Sequence, residues 1–161
     1  MFVKKIFSDA KLPERANETD SGADIFVYRF EKYYSISGAC HDDDDLHEQQ
    51  VLSLRPKERA LVNTGIIVTY GKGFEIQVRP RSGNALKRGL TVLNTPGTID
   101  ESYRGLVGVI IVNLSPVFQE IKVGEKIAQL VVCPVQLTQI IEVQEFDTTT
   151  RNANGFGSTG I

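Results

Sequence analysis

Short apolar runs separated by turn residues dominate this chain. The runs are rich in Val, Ile, Leu and Phe, and Gly, Pro and Asn stand between them. They are FVKKIF, ADIFVYRF, ALVNTGIIVTY, FEIQVRP, LVGVIIVNL, KIAQLVVCPV and QIIEVQEF. Runs of this length and composition are typical of β-strands, and many of them in succession indicate packed sheets or a closed barrel. We therefore predict an all-β barrel or sandwich to which each of these runs contributes.

One stretch departs from this pattern and predicts a helix. In RSGNALKRG, Ser82 is a suitable N-cap residue and Gly89 follows the last helical position. We expect a single short helix from Ser82 to Arg88, inserted into a core of sheet packed on sheet.

Length, charge and cysteine content narrow the functional classes. The chain of 161 residues is about the size of one domain, and its net charge of −2 does not provide the basic surface that nucleic acid or anionic lipid requires. The longest apolar runs, such as residues 109–112, are far shorter than the roughly 18 residues of a membrane span. Cys40 and Cys133 lie far apart and lack zinc-type spacing. We expect a cytoplasmic protein with reduced thiols that binds neither nucleic acid nor a membrane.

A polar segment from Tyr33 to Gln50 interrupts the apolar runs. It reads YYSISGACHDDDDLHEQQ and places four consecutive aspartates between His41 and His47. Adjacent like charges repel each other and favour water, so the segment is predicted to be a solvated surface loop or hairpin. A hard-cation site assisted by the histidines is the alternative, although the spacing matches no known metal-binding loop. An exposed acidic segment would also suit contact with a protein partner.

The stretch RPRSGNALK has the composition of an anion site. Arg79 and Arg81 flank a proline, and Ser82 and Gly83 follow at the start of the predicted helix. A guanidinium, a hydroxyl and free backbone N–H groups could converge there on a phosphate. A capped helix start with solvated arginines would produce the same sequence, so both interpretations stay open.

A second candidate site is LNTPGTIDESYRG, residues 93–105. Apolar stretches flank Gly97 and the turn-forming sequence DES, which predicts a hairpin that carries Asn94, Asp100 and Tyr103. An amide can read a base edge, a carboxylate can take a proton from water, and an aromatic ring can pack on a sugar. The same residue types stabilise ordinary turns and core edges, and taken alone the stretch favours that simpler role.

Two further stretches contain polar side chains that could bind a ligand. Gln129 stands among apolar residues in GEKIAQLVV, so its amide needs backbone or ligand partners if the strand is buried. The chain ends on RNANGFGSTGI, which combines Arg151, Phe156 and the hydroxyls of Ser158 and Thr159. Such a tail could bind phosphate and cover a base, or it could be a disordered end.

Five stretches follow one another along the chain: DSGADI, PRSGNALK, NTPGTIDESYRG, GEKIAQL and RNANGFGSTG. Together they resemble the five motifs of the trimeric dUTPases, which hydrolyse dUTP to dUMP and pyrophosphate. The resemblance covers nearly the whole chain except residues 33–50, and five matches in order make chance a poor explanation. Relative to that family, residues 33–50 are an atypical acidic insertion.

The resemblance implies a distorted jelly-roll or β-barrel-like protomer and a homotrimer with three active sites, each built from all three chains. It divides the chain into a β-barrel domain, residues 1–150, and a glycine-rich C-terminal arm, residues 151–161, that is exchanged between subunits. The arm would close over a neighbouring subunit's active site when nucleotide binds, and its glycines would let the backbone approach the phosphates.

The resemblance also implies a role for each motif residue. Asp100 would be the general base that activates the attacking water, and Gln129 would help orient that water or the α-phosphate. The residues expected to hold the phosphates are Arg81, Ser82, Gly83, Arg151, Gly157, Ser158 and Thr159. The residues expected to recognise uracil and deoxyribose, largely by steric exclusion of thymine and of a 2′-hydroxyl, are Asn94, Gly97, Thr98, Ile99, Tyr103 and Phe156.

The implied cofactor is Mg²⁺, bound mainly through the triphosphate, with Asp24 near it through water molecules. The implied function is to limit uracil incorporation into DNA and to supply dUMP for thymidylate synthesis. Two alternatives stay open: a dCTP deaminase-like enzyme on the same fold, and a relative in which nucleotide binding serves regulation.

Overall fold

The computed structural model describes residues 1–42, 44–150, 152 and 153. Within these residues the chain forms thirteen strands and two short helices. In chain order they are β1 (Phe2–Lys5), β2 (Ala23–Phe26), β3 (Arg29–Tyr34), β4 (Cys40–His41), α1 (Asp44–Glu48), β5 (Val51–Leu54), β6 (Arg59–Asn63), β7 (Ile66–Thr69), β8 (Phe74–Pro80), α2 (Ser82–Arg88), β9 (Leu90–Val92), β10 (Gly97–Ile99), β11 (Gly108–Asn113), β12 (Gln119–Lys122) and β13 (Lys126–Pro134).

The strands form antiparallel sheets around one apolar core. The largest sheet has the order β4-β3-β6-β11-β9, and a four-stranded sheet has the order β10-β8-β13-β2. The pairs β1-β7 and β12-β5 form two smaller sheets. The core contains side chains from every one of these sheets, and Phe30, Leu54 and Ile121 are fully buried in it. The predicted all-β, jelly-roll-like fold is confirmed.

Two of the apolar runs are each divided into two strands. ALVNTGIIVTY becomes β6 and β7, because Gly65 between them has a φ of 73°. This left-handed conformation favours glycine, and a Cβ there would lie 2.7 Å from the Cβ of Ala10. ADIFVYRF becomes β2 and β3, because β2 pairs with β13 whereas β3 pairs with β6. An uninterrupted apolar run does not reveal such a change of partner.

The run QIIEVQEF was expected to contribute a strand, and that prediction is wrong for the described chain. Residues 135–150 contain no strand. Directly after β13, Val135 N donates a hydrogen bond to Gly73 O at 2.8 Å. The side chains of Ile140 and Phe146 are 97% and 90% exposed. They are therefore left without a packing surface in the described part of the protomer.

Helix α2 has the predicted bounds, and Gly89 ends it with a φ of 65°. The predicted N-cap is wrong: the extended backbone of β8 continues through Arg81, which occupies the N-cap position without a side-chain capping hydrogen bond. Ser82 is therefore the first helical residue, and it is exposed. Neither helix that the structure describes has the length and apolar character needed to cross a bilayer.

The acidic segment is more structured than a solvated loop. The predicted hairpin is present, because β3 and β4 pair with Tyr33 opposite His41. Helix α1 follows and was not predicted. Its Leu46, the only apolar residue in DDDDLHE, is 3% exposed and joins the core. Among the described residues, no three His, Cys, Asp or Glu side chains are grouped as a metal site requires.

Polar contacts also join α1 to β3. Glu31 accepts hydrogen bonds from Arg29 Nε and Asn63 Nδ2, both at 2.7 Å, and His47 Nε2 lies 3.6 Å from its other oxygen. Burial alone would raise the pKa of Glu31, but the hydrogen bonds and the charges of Arg29 and His47 outweigh burial and lower it. The β3-β4 hairpin and helix α1 are therefore anchored to the domain, and a protein partner for the acidic segment stays a prediction.

Replacing Leu46 by alanine is expected to lower the free energy of unfolding by roughly 2–5 kcal/mol, because it removes buried methyl groups and leaves a cavity. Denaturant unfolding at one fixed protein concentration measures the change. Ile36→Ala, in the turn of the same segment, is the matched control: its side chain is 68% exposed, and the cost should stay below about 0.5 kcal/mol. Equal costs for the two substitutions would contradict the placement of Leu46 in the core.

Candidate functional site

A first pocket lies beside β10 and contains six of the predicted site residues. We call it the β10 pocket. It encloses about 150 Å³, and valines 78, 92 and 107 give it apolar walls. The predicted site residues that line it are Asn94, Gly97, Thr98, Ile99, Asp100 and Tyr103.

The path of the chain between β9 and β11 explains how these residues meet. Strands β9 and β11 pair antiparallel, with Val92 opposite Ile111. The connection between them leaves this pair and forms β10, which joins β8 in the other large sheet. The flanking strands β9 and β11 pair as a hairpin requires, but the predicted turn at DES is not its turn, because that turn joins β10 to β11 and these strands lie in different sheets.

A turn joins Asp100 to Tyr103. The backbone N–H of Tyr103 donates to Asp100 O at 3.1 Å, and the Tyr103 hydroxyl donates to Leu106 O, also at 3.1 Å. Arg104 reinforces the turn from outside, because its Nη1 donates to the carbonyl oxygens of Glu101 and Tyr103. Asp100 is exposed at the rim of the pocket. The carboxylate and the aromatic ring are therefore held by one short segment of backbone.

A second pocket lies where β2, β13 and the start of α2 meet, and we call it the Arg81 pocket. It gathers the other predicted site residues that the structure describes: Asp24, Arg81, Ser82, Gly83 and Gln129. The sequence DSGADI contributes to the same pocket through Asp20, Ser21 and Gly22. Three motifs that are distant in the sequence therefore line one cavity.

Arg81 and Asp24 form a bidentate ion pair in this pocket. Arg81 Nε donates to Asp24 Oδ1 at 2.7 Å, and Arg81 Nη2 donates to Oδ2 at 3.2 Å. Lys126 Nζ lies 3.2 Å from the same Oδ2 and 3.4 Å from Glu14 Oε2. The Asp24 side chain is only 15% exposed, so its charge is balanced within the protein.

The sequence analysis missed two residues of this cluster, Glu14 and Lys126. Glu14 lies outside the five motifs, whereas Lys126 lies within one of them. It belongs to GEKIAQL, in which only Gln129 was singled out. The signal that could have identified it is its place in a motif beside the predicted anion-binding residues. Arg79 was predicted to contribute to the anion site, but it does not line the Arg81 pocket. Its guanidinium instead donates to Gln77 Oε1 at 2.9 and 2.6 Å.

The Gln129 amide finds a backbone partner, as one of its two interpretations required. Its Nε2 donates to Pro80 O at 2.9 Å. Its carbonyl end lies directly against Gly22, where an added Cβ would approach Oε1 inside van der Waals contact and would lie 2.9 Å from Cδ. No left-handed φ accounts for glycine at position 22. Glycine is therefore explained at position 22 by the Gln129 amide, which occupies the space that a Cβ would need.

The two pockets are separate in one protomer. They share no lining residue: the β10 pocket lies beside the edge strand β10, whereas the Arg81 pocket is lined from β2, β13 and the residues that follow β8. The remaining predicted site residues lie outside the described residues: Arg151, Phe156, Gly157, Ser158 and Thr159.

Known proteins resemble this chain over most or all of its length. A family model described as dUTPase matches residues 45–160. The deoxyuridine 5′-triphosphate nucleotidohydrolase of Hydrogenobaculum sp. is 45% identical over 100% of this chain and 98% of that protein. The protein of the same name from Clostridium novyi is 42% identical over 100% and 99%. The solved structure of Staphylococcus bacteriophage 80alpha dUTPase with dUPNHPP has a TM-score of 0.77 and 26% identity, and the match covers 99% of this chain and 98% of that one.

Gly22→Ala is expected to displace the Gln129 side chain and break its hydrogen bond to Pro80, which should cost roughly 1–3 kcal/mol in the free energy of unfolding. In a Gln129→Ala background the added methyl has room, and the same change should cost nothing or stabilise by up to about 1 kcal/mol through the unfolded state. Denaturant unfolding of the four variants at one protein concentration measures this coupling. Equal effects of Gly22→Ala in both backgrounds would contradict the contact.

Proposed function

The chain belongs to the dUTPase family and is an enzyme that hydrolyses dUTP, and we propose that Asp100 activates the water molecule that attacks the substrate. Attack on the α-phosphorus forms dUMP, and pyrophosphate leaves. The observation that carries the proposal is the position of Asp100 at the rim of the β10 pocket, next to the residues expected to bind the nucleoside. A carboxylate in this position can accept the proton that water loses as it attacks.

We assign uracil to the β10 pocket. Strand β10 lies at the edge of its sheet, so alternate residues within Gly97–Ile99 present backbone N–H and C=O groups that point away from β8. These groups suit the acceptors and the donor on the edge of uracil, and Asn94 adds an amide. A Cβ at Gly97 would lie 3.3 Å from both Asn94 Nδ2 and Val78 Cβ. Such close packing supports exclusion of the thymine methyl group, while Tyr103 packs on the deoxyribose.

We assign the phosphates to the Arg81 pocket. The ion pair with Asp24 uses two of the five N–H donors of the Arg81 guanidinium, which leaves three for phosphate oxygens. Ser82 and Gly83 are exposed beside it and offer a hydroxyl and backbone N–H groups. Gln129 keeps one N–H to donate to the α-phosphate or the attacking water, because Pro80 uses only the other N–H. Its carbonyl oxygen can accept a hydrogen bond from the water.

Mg²⁺ fits this pocket as an ion carried by the triphosphate rather than as one ligated directly by the protein. Both oxygens of Asp24 already face cations, so Asp24 would reach the ion only through water. The two cations and two carboxylates of the cluster balance each other, so the triphosphate charge needs another source of compensation. When bound, Mg²⁺ neutralises phosphate charge and fixes the triphosphate conformation.

We further propose a homotrimer in which each active site combines several chains. The separate linings of the two pockets support this, since one protomer offers a nucleoside pocket and a phosphate pocket that do not merge. The exposed apolar side chains around Ile140 and Phe146 supply a surface that a second copy would cover. Residues 1–150 would form the barrel domain, and residues 151–161 an arm that closes over a neighbouring site.

The proposed cellular role follows from the reaction. Removing dUTP limits the incorporation of uracil into DNA, and the product dUMP is the precursor for thymidylate synthesis.

Asp100→Asn is expected to lower kcat at least 100-fold while leaving dUTP affinity within a few-fold of wild type, because an amide cannot act as the base. Pyrophosphate release measures the first quantity, and calorimetric titration with a non-hydrolysable dUTP analogue measures the second. Glu101→Gln removes the adjacent carboxylate and is the matched control, with activity near wild type. An Asp100→Asn enzyme as active as this control would refute the assignment of the base.

A substrate panel tests the function as a whole. Pyrophosphate release should occur with dUTP and Mg²⁺ and be negligible with dTTP, dCTP and UTP. Ammonia release from dCTP would instead support the deaminase alternative. Tight dUTP binding without turnover in the wild type would support the regulatory alternative.

Truncation after Thr150 is expected to leave the fold intact and to reduce dUTP turnover at least 100-fold, because the arm would no longer close over the phosphates. Far-UV circular dichroism and light scattering check the fold and the assembly, and pyrophosphate release checks turnover. A fully active truncated enzyme would exclude a catalytic contribution of the arm.

A further inference from the structure

The ring of Tyr103 occupies the space that a side chain at position 105 would take. A Cβ on Gly105 would lie 2.5 Å from Tyr103 Cζ and 3.0 Å from Cε2. Both distances are far below the roughly 3.5–4.0 Å of a favourable carbon–carbon contact. The ring therefore rests on the Gly105 backbone, while its hydroxyl donates to Leu106 O at 3.1 Å.

The backbone at Gly105 does not itself require glycine. Several other glycines have a positive φ, among them Gly65, Gly89 and Gly124, but Gly105 does not. The three atoms nearest to an added Cβ all belong to the Tyr103 side chain. Alanine would fit the backbone at this position, and the Tyr103 ring is the group it would displace.

We propose that Gly105 is a positioning residue that holds the Tyr103 ring against the sugar and so sets the preference for deoxyribose over ribose. The inference rests on the proposed function, in which Tyr103 packs on the deoxyribose of dUTP. Tyr103 is 46% exposed, so one part of the ring lies on Gly105 while another remains free to contact a ligand. A ring held in place by Gly105 cannot move away from the 2′-hydroxyl of a ribose. A displaced ring would change the space that is available to this hydroxyl.

The position of the ring is fixed by more than this one contact. The Tyr103 backbone N–H is bonded to Asp100 O, and the hydroxyl is bonded to Leu106 O. A methyl group at position 105 would act on the hydroxyl end of the ring, which is the far end of the side chain, so the hydroxyl contact with Leu106 would be lost first. The backbone turn that carries Asp100 would persist. The substitution should therefore change sugar selectivity more than it changes dUTP turnover.

The test compares kcat/KM for dUTP and UTP in the full-length enzyme. In Gly105→Ala the ratio of the two values should fall at least about 10-fold, which is the usual scale of discrimination by one small group. Gly71→Ala is the matched control, because an added Cβ there meets nothing within 4 Å and its φ is not positive, and its ratio should equal that of wild type. A ratio in Gly105→Ala that equals the control would overturn the proposal. Partial unfolding lowers both activities equally and leaves the ratio unchanged.

A second pair of variants tests whether the effect passes through the ring. In a Tyr103→Ala background the methyl at position 105 has no ring to displace, so Gly105→Ala should leave the dUTP:UTP ratio unchanged. A further change in that background would overturn the proposal. The same pair remains informative if Gly105→Ala alone does not fold. Recovery of folding in the Tyr103→Ala background would support the contact between the ring and Gly105, and failure to recover would contradict it.

The outcomes separate this inference from the function on which it rests. A wild-type enzyme that does not hydrolyse dUTP would contradict the proposed function. Wild-type hydrolysis of dUTP, combined with an unchanged ratio in Gly105→Ala, would contradict only the role of Gly105.

Discussion

The antiparallel ladders of β13 determine where the groups of the Arg81 pocket lie. This strand pairs with β8 along seven residues and with β2 along four. The pairing sets Gln129 opposite Asp24 on one side and opposite Arg79 on the other. Because side chains alternate along a strand, a slip of one residue would turn Gln129 to the other face of the sheet. The ladder therefore determines the spatial relation between three motifs that are far apart in the sequence.

The same four-stranded sheet separates the two pockets. At one edge, β10 presents a narrow apolar cavity with a carboxylate at its rim, and at the other edge β2 contributes a cluster of balanced charges. A flat nucleobase and a charged triphosphate need such different surroundings, because apolar walls favour a ring whereas anions need oriented donors. Rigid strands keep the two environments apart within one chain. This separation is the reason for proposing that each active site combines several chains.

Local signals in the sequence predicted the features that depend on neighbouring residues. The bounds of α2 followed from RSGNALKRG, and the turn after Asp100 followed from its turn residues. The departure of β10 to the other sheet did not follow from them. The strand changes at Gly65 and between β2 and β3 depend on tertiary partners that an apolar run does not encode. Helix α1 was missed because four aspartates concealed a single apolar anchor, Leu46. The contact of Arg79 with Gln77 was accessible from sequence, since residues two apart on a strand share a face.

Gly22 and Gly105 differ from glycines such as Gly65, whose φ itself favours glycine, because at positions 22 and 105 a neighbouring side chain alone excludes a methyl group. A dihedral constraint acts on one position at a time. A side-chain constraint acts on a pair of positions. If a shorter residue replaced Gln129 or Tyr103 during divergence, the paired glycine could be replaced by a residue with a side chain. Among descendants of this sequence, positions 22 and 129, and likewise 103 and 105, should therefore vary together, whereas position 65 should stay glycine whatever its neighbours become.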